Sequence, residues 1–239
     1  MFYKFINEMT NEELKKLPLV EKITEKGGMK LDVYNNTYDA FQSLKLVAKD
    51  MTENLKKKVA KNDKRIFFNY SDKGEFETEL KFGGDMLMLT MHTNVFEFPR
   101  EHEIMKLSYI KQDITRSYCG IINMYNFLAD SLKYNRVNDV GYLVARIFIN
   151  REDHYFVEGK RQIGLMYNNF AKSKIDRNAI KKILETAINY CVDFDLLTPV
   201  YDSIKVVSVS EMLENSMNLN LRTGKRLGFR FQVDDDDSE

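Results

Sequence analysis

The sequence has no tryptophan, and its 239 residues include only two cysteines and three prolines. Cys119 and Cys191 are far apart in the chain, and each lies among apolar neighbours. Such surroundings are typical of buried free thiols, whereas small secreted proteins carry several cysteines that pair as disulfides. The pattern predicts a cytoplasmic protein whose fold does not depend on disulfide bonds.

Long apolar runs are also missing. No stretch approaches the roughly 18 apolar residues that a membrane-spanning helix needs. The amino terminus, MFYKFINEM, lacks the basic region followed by an apolar segment that forms a secretion signal. The sequence therefore predicts no membrane partner and no export by a recognisable signal.

The chain carries no net charge, because 36 basic residues balance 36 acidic ones. Without an overall electrostatic field, binding to nucleic acid would need a local basic patch. The 44% hydrophobic and 12% aromatic residues are typical of a folded chain that buries a core without a metal. The abundance of asparagine and lysine points to an AT-rich bacterial genome.

No segment rich in serine and glycine marks a linker, and no repeat of fixed period divides the chain. We therefore expect a single domain over residues 1–239. Its expected parts are a helical segment 1–62, a sheet-rich middle 63–160, a helix and terminal hairpin 161–233, and an acidic tail 234–239.

Apolar residues spaced by three and four predict two main helices. The first is expected to start at Thr37 as its cap, after a turn at Gly27-Gly28, and to reach about Lys61. The second covers residues 176–193 with Asp176 as its cap. A capping box also predicts a short helix between Thr10 and Pro18.

Alternating apolar and polar residues predict strands, most clearly where Thr78, Leu80 and Phe82 alternate with Glu79 and Lys81. Segments 65–71, 75–82 and 86–98 form an expected antiparallel meander, with turns at Gly74 and Gly83-Gly84. Further strands are expected at 104–111, 117–126, 141–149 and 154–158, with 117–132 ambiguous between strand and helix, and a hairpin at 217–233. The predicted fold is α+β: an antiparallel sheet of about six to eight strands, with the two main helices packed on one face.

Familiar catalytic motifs are missing. The sequence contains neither of the glycine-rich phosphate-binding motifs, G-x-G-x-x-G and G-x-x-x-x-G-K-S/T. Its three histidines, His92, His102 and His154, do not belong to a metal-ligand cluster. We therefore expect no metal and no cofactor. The pattern favours a protein that is not an enzyme.

One group of residues nevertheless points to metal-dependent nuclease chemistry. Asp72 precedes the pair Glu79 and Lys81, which are separated by one residue on a predicted strand. Two carboxylates that converge on Mg²⁺, with a lysine that orients water, are suited to phosphodiester cleavage. The alternative interpretation is a charged turn followed by the solvent face of a strand.

Basic residues cluster at three places. They are Lys56, Lys57 and Lys58 at the end of the first helix, Lys172, Lys174, Arg177 and Lys181 at the start of the second, and Arg226 and Arg230 in the C-terminal hairpin. If both helices pack on one side of the sheet, the first two clusters could form one phosphate-binding patch. Charged helix faces also occur simply for solubility.

The preferred functional hypothesis is a binding or regulatory protein with a protein partner. Its positive support is the abundance of tyrosine and asparagine, since exposed tyrosine provides rigid contact area with a polar tip. A protein that acts on nucleic acid is the first alternative. A small-ligand carrier, with a pocket lined by Phe82, Leu87, Leu89 and Phe127, is the second.

Overall fold

The computed structural model describes residues 18–134, 136, 139–159, 163, 169–195, 198, 200–210 and 212–213. The helices are α1 (Leu19–Asn62), α2 (Ser108–Gln112), α3 (Ala129–Lys133), α4 (Arg177–Asp193) and α5 (Tyr201–Ile204). The strands are β1 (Phe68–Gly74), β2 (Glu77–Phe82), β3 (Asp85–Met91), β4 (Phe96–Glu97), β5 (Tyr118–Leu128), β6 (Tyr142–Asn150) and β7 (Tyr155–Gly159). The predicted helix between Thr10 and Pro18 and the predicted hairpin at 217–233 lie outside the described residues, apart from Pro18 itself.

All seven strands form one antiparallel sheet in the order β1-β2-β3-β5-β6-β7, and β4 pairs separately with β5. The predicted turns at Gly74 and Gly83 are confirmed, and both glycines have positive φ, at 137° and 55°. A side chain at such angles is strained, which explains glycine at these two hairpin turns. The predicted α+β class with an antiparallel sheet is confirmed.

Both main helices lie on the same face of the sheet. Phe41 and Leu44 of α1 and Ile183 and Leu184 of α4 are completely buried, and they belong to one core cluster with Leu80, Leu87 and Leu89 of the sheet. The predicted boundaries of α4 are correct, and Asp176 caps it by accepting a hydrogen bond from the Ala179 amide at 2.7 Å.

The first helix is much longer than its sequence pattern predicts. It starts at Leu19, so Gly27 and Gly28 lie inside the helix and form no turn. Thr37 does not cap it either: its hydroxyl donates to the Val33 carbonyl at 2.7 Å within the helix. Met29 and Val33 are buried, so packing upstream of Thr37 extends the helix through the glycine pair.

The predicted strand at 104–111 is wrong. A 3₁₀ turn at Glu103–Lys106 is followed there by α2. Ile104 and Ile110 pack with Phe148, Phe156 and Phe170 in a second apolar cluster. Phe148 pairs with Ile121 and Phe156 across the strands, so this cluster covers the sheet face opposite α1 and α4.

Candidate functional site

A surface groove separates the outer sides of α1 and α4. Its larger part has a volume of about 430 Å³, and its floor is formed by Met51, Leu55 and Ile188. Lys58, Lys181 and Glu185 line its sides, together with Asn54 and Asn189. The groove therefore has an aliphatic floor and polar walls, the usual composition of a docking site.

A smaller cavity of about 160 Å³ extends the groove toward the start of α4. It is lined by Val47, Asp50, Met51, Asn54, Arg177, Asn178 and Lys181, three of which also line the larger part. The residue numbers of both α1 and α4 increase from the smaller cavity to the larger one, so the two helices run in the same direction.

Helical spacing explains why these side chains meet. On α1, Met51, Leu55 and Lys58 are separated by four and three residues, so they lie on one side of the helix. Lys181 and Glu185 are similarly spaced on α4. Met51 and Ile188 are also nearly buried, so the floor belongs to the contact that joins the helices.

Two exposed ion pairs lie along the groove. Arg177 contacts Asp50 at 2.9 Å across the helices, and Lys181 lies 3.8 Å from Glu185 on α4. All four side chains are more than half exposed, so these pairs contribute little to stability and open readily for a partner. Lys58 forms no ion pair with any described residue, which leaves a positive group at the larger cavity.

Three of the predicted basic residues line the groove: Lys58 lines its larger part, Arg177 lines the smaller cavity, and Lys181 lines both. Lys56 and Lys57 are exposed on α1 but do not line the groove, and Lys172 and Lys174 are exposed just before α4. Arg226 and Arg230 lie outside the described residues. The two helices do share one sheet face, as the basic-patch hypothesis required.

The three residues of the nuclease hypothesis are not brought together. Asp72 pairs with Thr78 across β1 and β2, whereas Glu79 pairs with Ser71, so the two carboxylates lie on opposite faces of the sheet. Asp72 accepts a hydrogen bond from Lys45 at 2.8 Å, which lowers the pKa of its carboxyl. The carboxylates of Asp72 and Glu79 therefore cannot share one metal ion in this arrangement.

The prediction that Glu79 lies on the solvent face of its strand is wrong. Its side chain is only 3% exposed, and one carboxylate oxygen lies 3.3 Å from both Lys73 and Lys81. A buried carboxylate needs such partners. Within the described ranges, no three histidine, cysteine, aspartate or glutamate side chains lie close enough to hold a metal ion.

A polar network at the β6–β7 turn was not identified from the sequence. Asn150 is fully buried and accepts hydrogen bonds from the Glu152 and His154 amides at 2.9 and 3.1 Å. Its amide also donates to the Tyr109 hydroxyl at 2.9 Å, and that hydroxyl donates to Glu152 at 2.7 Å. These contacts hold the hairpin against the segment before β5, so we assign the network a structural role.

The Glu152 carboxylate gives this network a pH dependence. Burial alone raises its pKa, but hydrogen bonds from Tyr109 and Arg116 and the positive charges of Arg116 and Arg151 lower it further than burial raises it. Since the folded-state pKa lies below the unfolded one, the stabilisation is complete above the unfolded value and is lost as pH falls through the folded value.

We therefore expect acidification below pH 4.5, the ordinary value for this carboxyl, to lower the free energy of unfolding more in the parent than in a Glu152→Gln variant. Urea unfolding followed by circular dichroism at neutral and acidic pH measures the difference. Equal pH dependence in the two proteins would contradict this account of Glu152.

The residues of the small-ligand hypothesis do not form a pocket together. Phe82, Leu87 and Leu89 belong to the buried core against the helices. Phe127 pairs with Met86, the neighbour of Leu87, and so lies on the other face. Its ring packs over Gly141 instead, where an added Cβ would lie 2.5 Å from a ring carbon.

No protein-family model, curated protein or solved structure matches this chain. No helix in the described part of the chain is both long and apolar enough to cross a membrane. The α1–α4 groove is therefore the candidate site on physical grounds alone.

Proposed function

We propose that this protein binds a segment of another protein in the α1–α4 groove. The observation that carries the proposal is the combination of the aliphatic floor, Met51, Leu55 and Ile188, with positive groups at Lys58 and Lys181. An amphipathic helix that places apolar residues on the floor and acidic residues beside the lysines complements both features.

The lining chemistry favours a protein over a nucleic acid. No residue that lines either cavity is aromatic, although proteins that bind single strands usually stack bases on aromatic rings. Duplex binding depends on many phosphate contacts, yet Asp50 and Glu185 lie among the basic residues of the groove. An acidic peptide with aliphatic anchors fits this mixed lining better.

The cytosol is the compartment that we propose for this interaction. Cys119 and Cys191 are buried free thiols. Burial raises the pKa of Cys119, and it raises the pKa of Cys191 to about 12, helped by the negative charge of Asp85. Both side chains are therefore protonated packing groups at neutral pH, which suits a reducing compartment.

Affinity capture with groove variants tests the proposal. Three tagged proteins are used as baits in a nuclease-treated lysate of the source cells. They are the full chain, its Leu55→Asp variant and its Lys58→Glu/Lys181→Glu variant. We expect the recovered amount of the main captured protein to fall at least about tenfold with either variant. Leu55→Asp removes an apolar anchor, and Lys58→Glu/Lys181→Glu removes the charge contacts. Quantitative mass spectrometry measures the recovery.

Lys56→Glu provides the matched control. It reverses one charge, as the replacement at Lys58 does, two residues along α1 from Lys58 and on a part of the helix that does not line the groove. We expect this variant to capture the partner as the parent does. Equal capture of the partner by all baits would contradict the groove as the binding surface. The proposal would also be contradicted if nuclease is omitted and nucleic acid is the only stoichiometric component recovered.

A further inference from the structure

Three polar side chains interrupt the apolar core at one end of the sheet. Leu87, two residues after Asp85 on β3, pairs with Asn126 of β5, and Asn126 pairs with Tyr142 of β6. Asp85, Asn126 and Tyr142 therefore lie on the face of the sheet that α1 and α4 cover. Their apolar neighbours Leu87 and Met124 on this face are completely buried. Polar groups in such a position need partners.

Hydrogen bonds within this group leave one acceptor unused. The Asn126 side-chain nitrogen donates to Asp85 Oδ1 at 3.2 Å and to the Tyr142 hydroxyl at 2.5 Å. An ionised carboxylate only accepts hydrogen bonds, so Asp85 fixes the nitrogen of Asn126 on its own side. The Asn126 carbonyl oxygen is buried and accepts no hydrogen bond from any described residue, although the residue is only 3% exposed. A buried acceptor without a donor is rare and costly.

Negative charge at this end of the sheet is also uncompensated. No lysine or arginine within the described part of the chain forms an ion pair with Asp85, and burial raises the pKa of its carboxyl more than the hydrogen bond from Asn126 lowers it. The last turn of α4 lies beside Asp85, whose negative charge helps to raise the pKa of Cys191. That turn contains no basic residue, and the free carbonyls of a helix C-terminus carry partial negative charge. The surroundings therefore favour a cation.

Aromatic rings complete this part of the surface. The Tyr142 ring lies 4.7 Å from Phe194 and 6.3 Å from Tyr190, and the last two rings are 6.4 Å apart, measured between centroids. Phe194, which ends α4, is 37% exposed, and both tyrosines are half-buried. Ring faces attract organic cations. One carboxylate and one amide oxygen are fewer oxygen ligands than Ca²⁺ or Mg²⁺ requires, so these groups suit an organic cation better than a metal ion.

We propose that this end of the sheet binds a primary ammonium group on a short aliphatic stem. The site, here called the Asp85 site, consists of Asp85, Asn126, Tyr142, Tyr190 and Phe194. The ammonium donates to the Asp85 carboxylate and to the unpaired oxygen of Asn126, and the stem lies on the rings of Tyr190 and Phe194. A primary ammonium group has three donors, enough for both acceptors. Asp85 is half-buried and Phe194 is exposed, so the ligand enters from solvent.

The Asp85 site is separate from the α1–α4 groove. Tyr190 follows Lys181 by nine residues, which is about two and a half helical turns, so the two side chains lie on opposite sides of α4. The proposed peptide-binding function and the ammonium site can therefore fail independently.

An NMR titration of the full chain with butylamine at neutral pH tests the proposal. We expect saturable binding that shifts the side-chain amide signals of Asn126. Butanol, which has the same stem without the charge, and tetramethylammonium, which has the charge without donors, should not produce these shifts. Equal shifts with butanol, or no saturable shift with butylamine, would overturn the proposal and mean that water satisfies the Asn126 oxygen. Shifts at Met51 and Leu55 instead would overturn it as well.

A second probe distinguishes the two sources of a primary ammonium group. Lysine with an acetylated amino group and a methylated amide represents a lysine side chain of a protein. Tighter binding of this probe than of butylamine would support the proposal with a protein lysine as the ligand. Tighter binding of butylamine would support it with a free amine as the ligand.

Asp85→Asn removes the charge and keeps the size of the side chain. We expect butylamine to bind this variant at least about tenfold more weakly, because a hydrogen bond to a charged acceptor is lost. Since burial disfavours the ionised carboxyl, the variant should melt no lower than the parent without ligand. Asp32→Asn is the matched control, because Asp32 is exposed on α1 and outside the site. Equal affinity of the parent and both variants would contradict the role of Asp85.

Phe194→Ala tests the site without changing its charge. The ring is exposed at the end of α4, so its removal leaves the buried core in place. We expect butylamine affinity to fall about threefold, because the ammonium group and its stem lose one ring face. Unchanged affinity would contradict the placement of the ligand beside Phe194.

Discussion

Replacement of Gly120 by alanine is expected to lower the free energy of unfolding by about 3 kcal/mol. Gly120 lies in β5 where α1 crosses the sheet, and an added Cβ would lie 2.7 Å from Cβ and 2.8 Å from Cγ2 of Thr37, with the Thr37 hydroxyl closer still. Real side chains do not approach so closely. The helix and the strand must therefore separate or the alanine is not accommodated.

Thr37 has little freedom to relieve this contact. Its side chain is fully buried, and its hydroxyl donates to the Val33 carbonyl at 2.7 Å. A branched side chain in a helix also has few rotamers. Moving α1 instead would disturb the packing of Phe41 and Leu44, which are completely buried.

Urea unfolding of Gly120→Ala measures the effect. Gly84→Ala is the matched control, because an added Cβ there meets no atom within 4 Å and its φ is not positive. We expect that control to stay within about 0.5 kcal/mol of the parent. Adding Thr37→Ala to Gly120→Ala should recover part of the loss, since it removes the hydroxyl and Cγ2. A Gly120→Ala protein as stable as the parent would contradict the placement of α1 on β5.

Asn150→Ala is the second variant with a large expected effect, also about 3 kcal/mol. Alanine leaves the Glu152 and His154 amides without the oxygen that accepts their hydrogen bonds. It also removes the donor to the Tyr109 hydroxyl. Buried polar groups that lose their partners are costly, and Asn150 has no exposed surface through which water could replace it.

The measurement is again urea unfolding, with Asn123→Ala on β5 as control. Asn123 is half-buried and its side chain forms no hydrogen bond with any described residue. The control should therefore change stability by less than about 1 kcal/mol. Similar losses in both variants would mean that the hydrogen bonds at the β6–β7 turn contribute no more than ordinary packing.

The periodic spacing of apolar residues correctly predicted those helices and strands that bury one face on the core. The alternation around Leu80 and Phe82 identified β2, and the stripe from Ile180 to Cys191 identified α4, because each has one face on the core. At Gly27-Gly28 the local turn signal failed, since packing of Met29 and Val33 outweighs the weak helix propensity of glycine.

The strand predicted at 104–111 failed for a different reason. Ile104, Leu107 and Ile110 are three residues apart, which fits helical turns better than the two-residue period of a strand. The observed turns place Ile104 and Ile110 in the second apolar cluster. The three-residue spacing of these apolar residues is the signal in the sequence that indicates the helical turns.

The candidate groove could be predicted only in part. Lys58, Arg177 and Lys181 are recognisable as members of basic clusters, but their proximity depends on α1 and α4 being neighbours, which no local pattern determines. The partial exposure of Leu55 in the floor likewise results from the gap between two helices. Burial of Glu79 depends on lysines from two strands, Lys73 and Lys81, and has no local signal.

The most direct test of the central claim is a methyl NMR titration of the full chain with the captured partner, with the methyl groups of methionine, leucine and isoleucine labelled. If the partner occupies the α1–α4 groove, the largest shifts occur at Met51, Leu55 and Ile188, and the Lys58→Glu/Lys181→Glu variant shows them only at much higher partner concentration. Binding that leaves these three methyl signals unchanged while shifting others would contradict the claim.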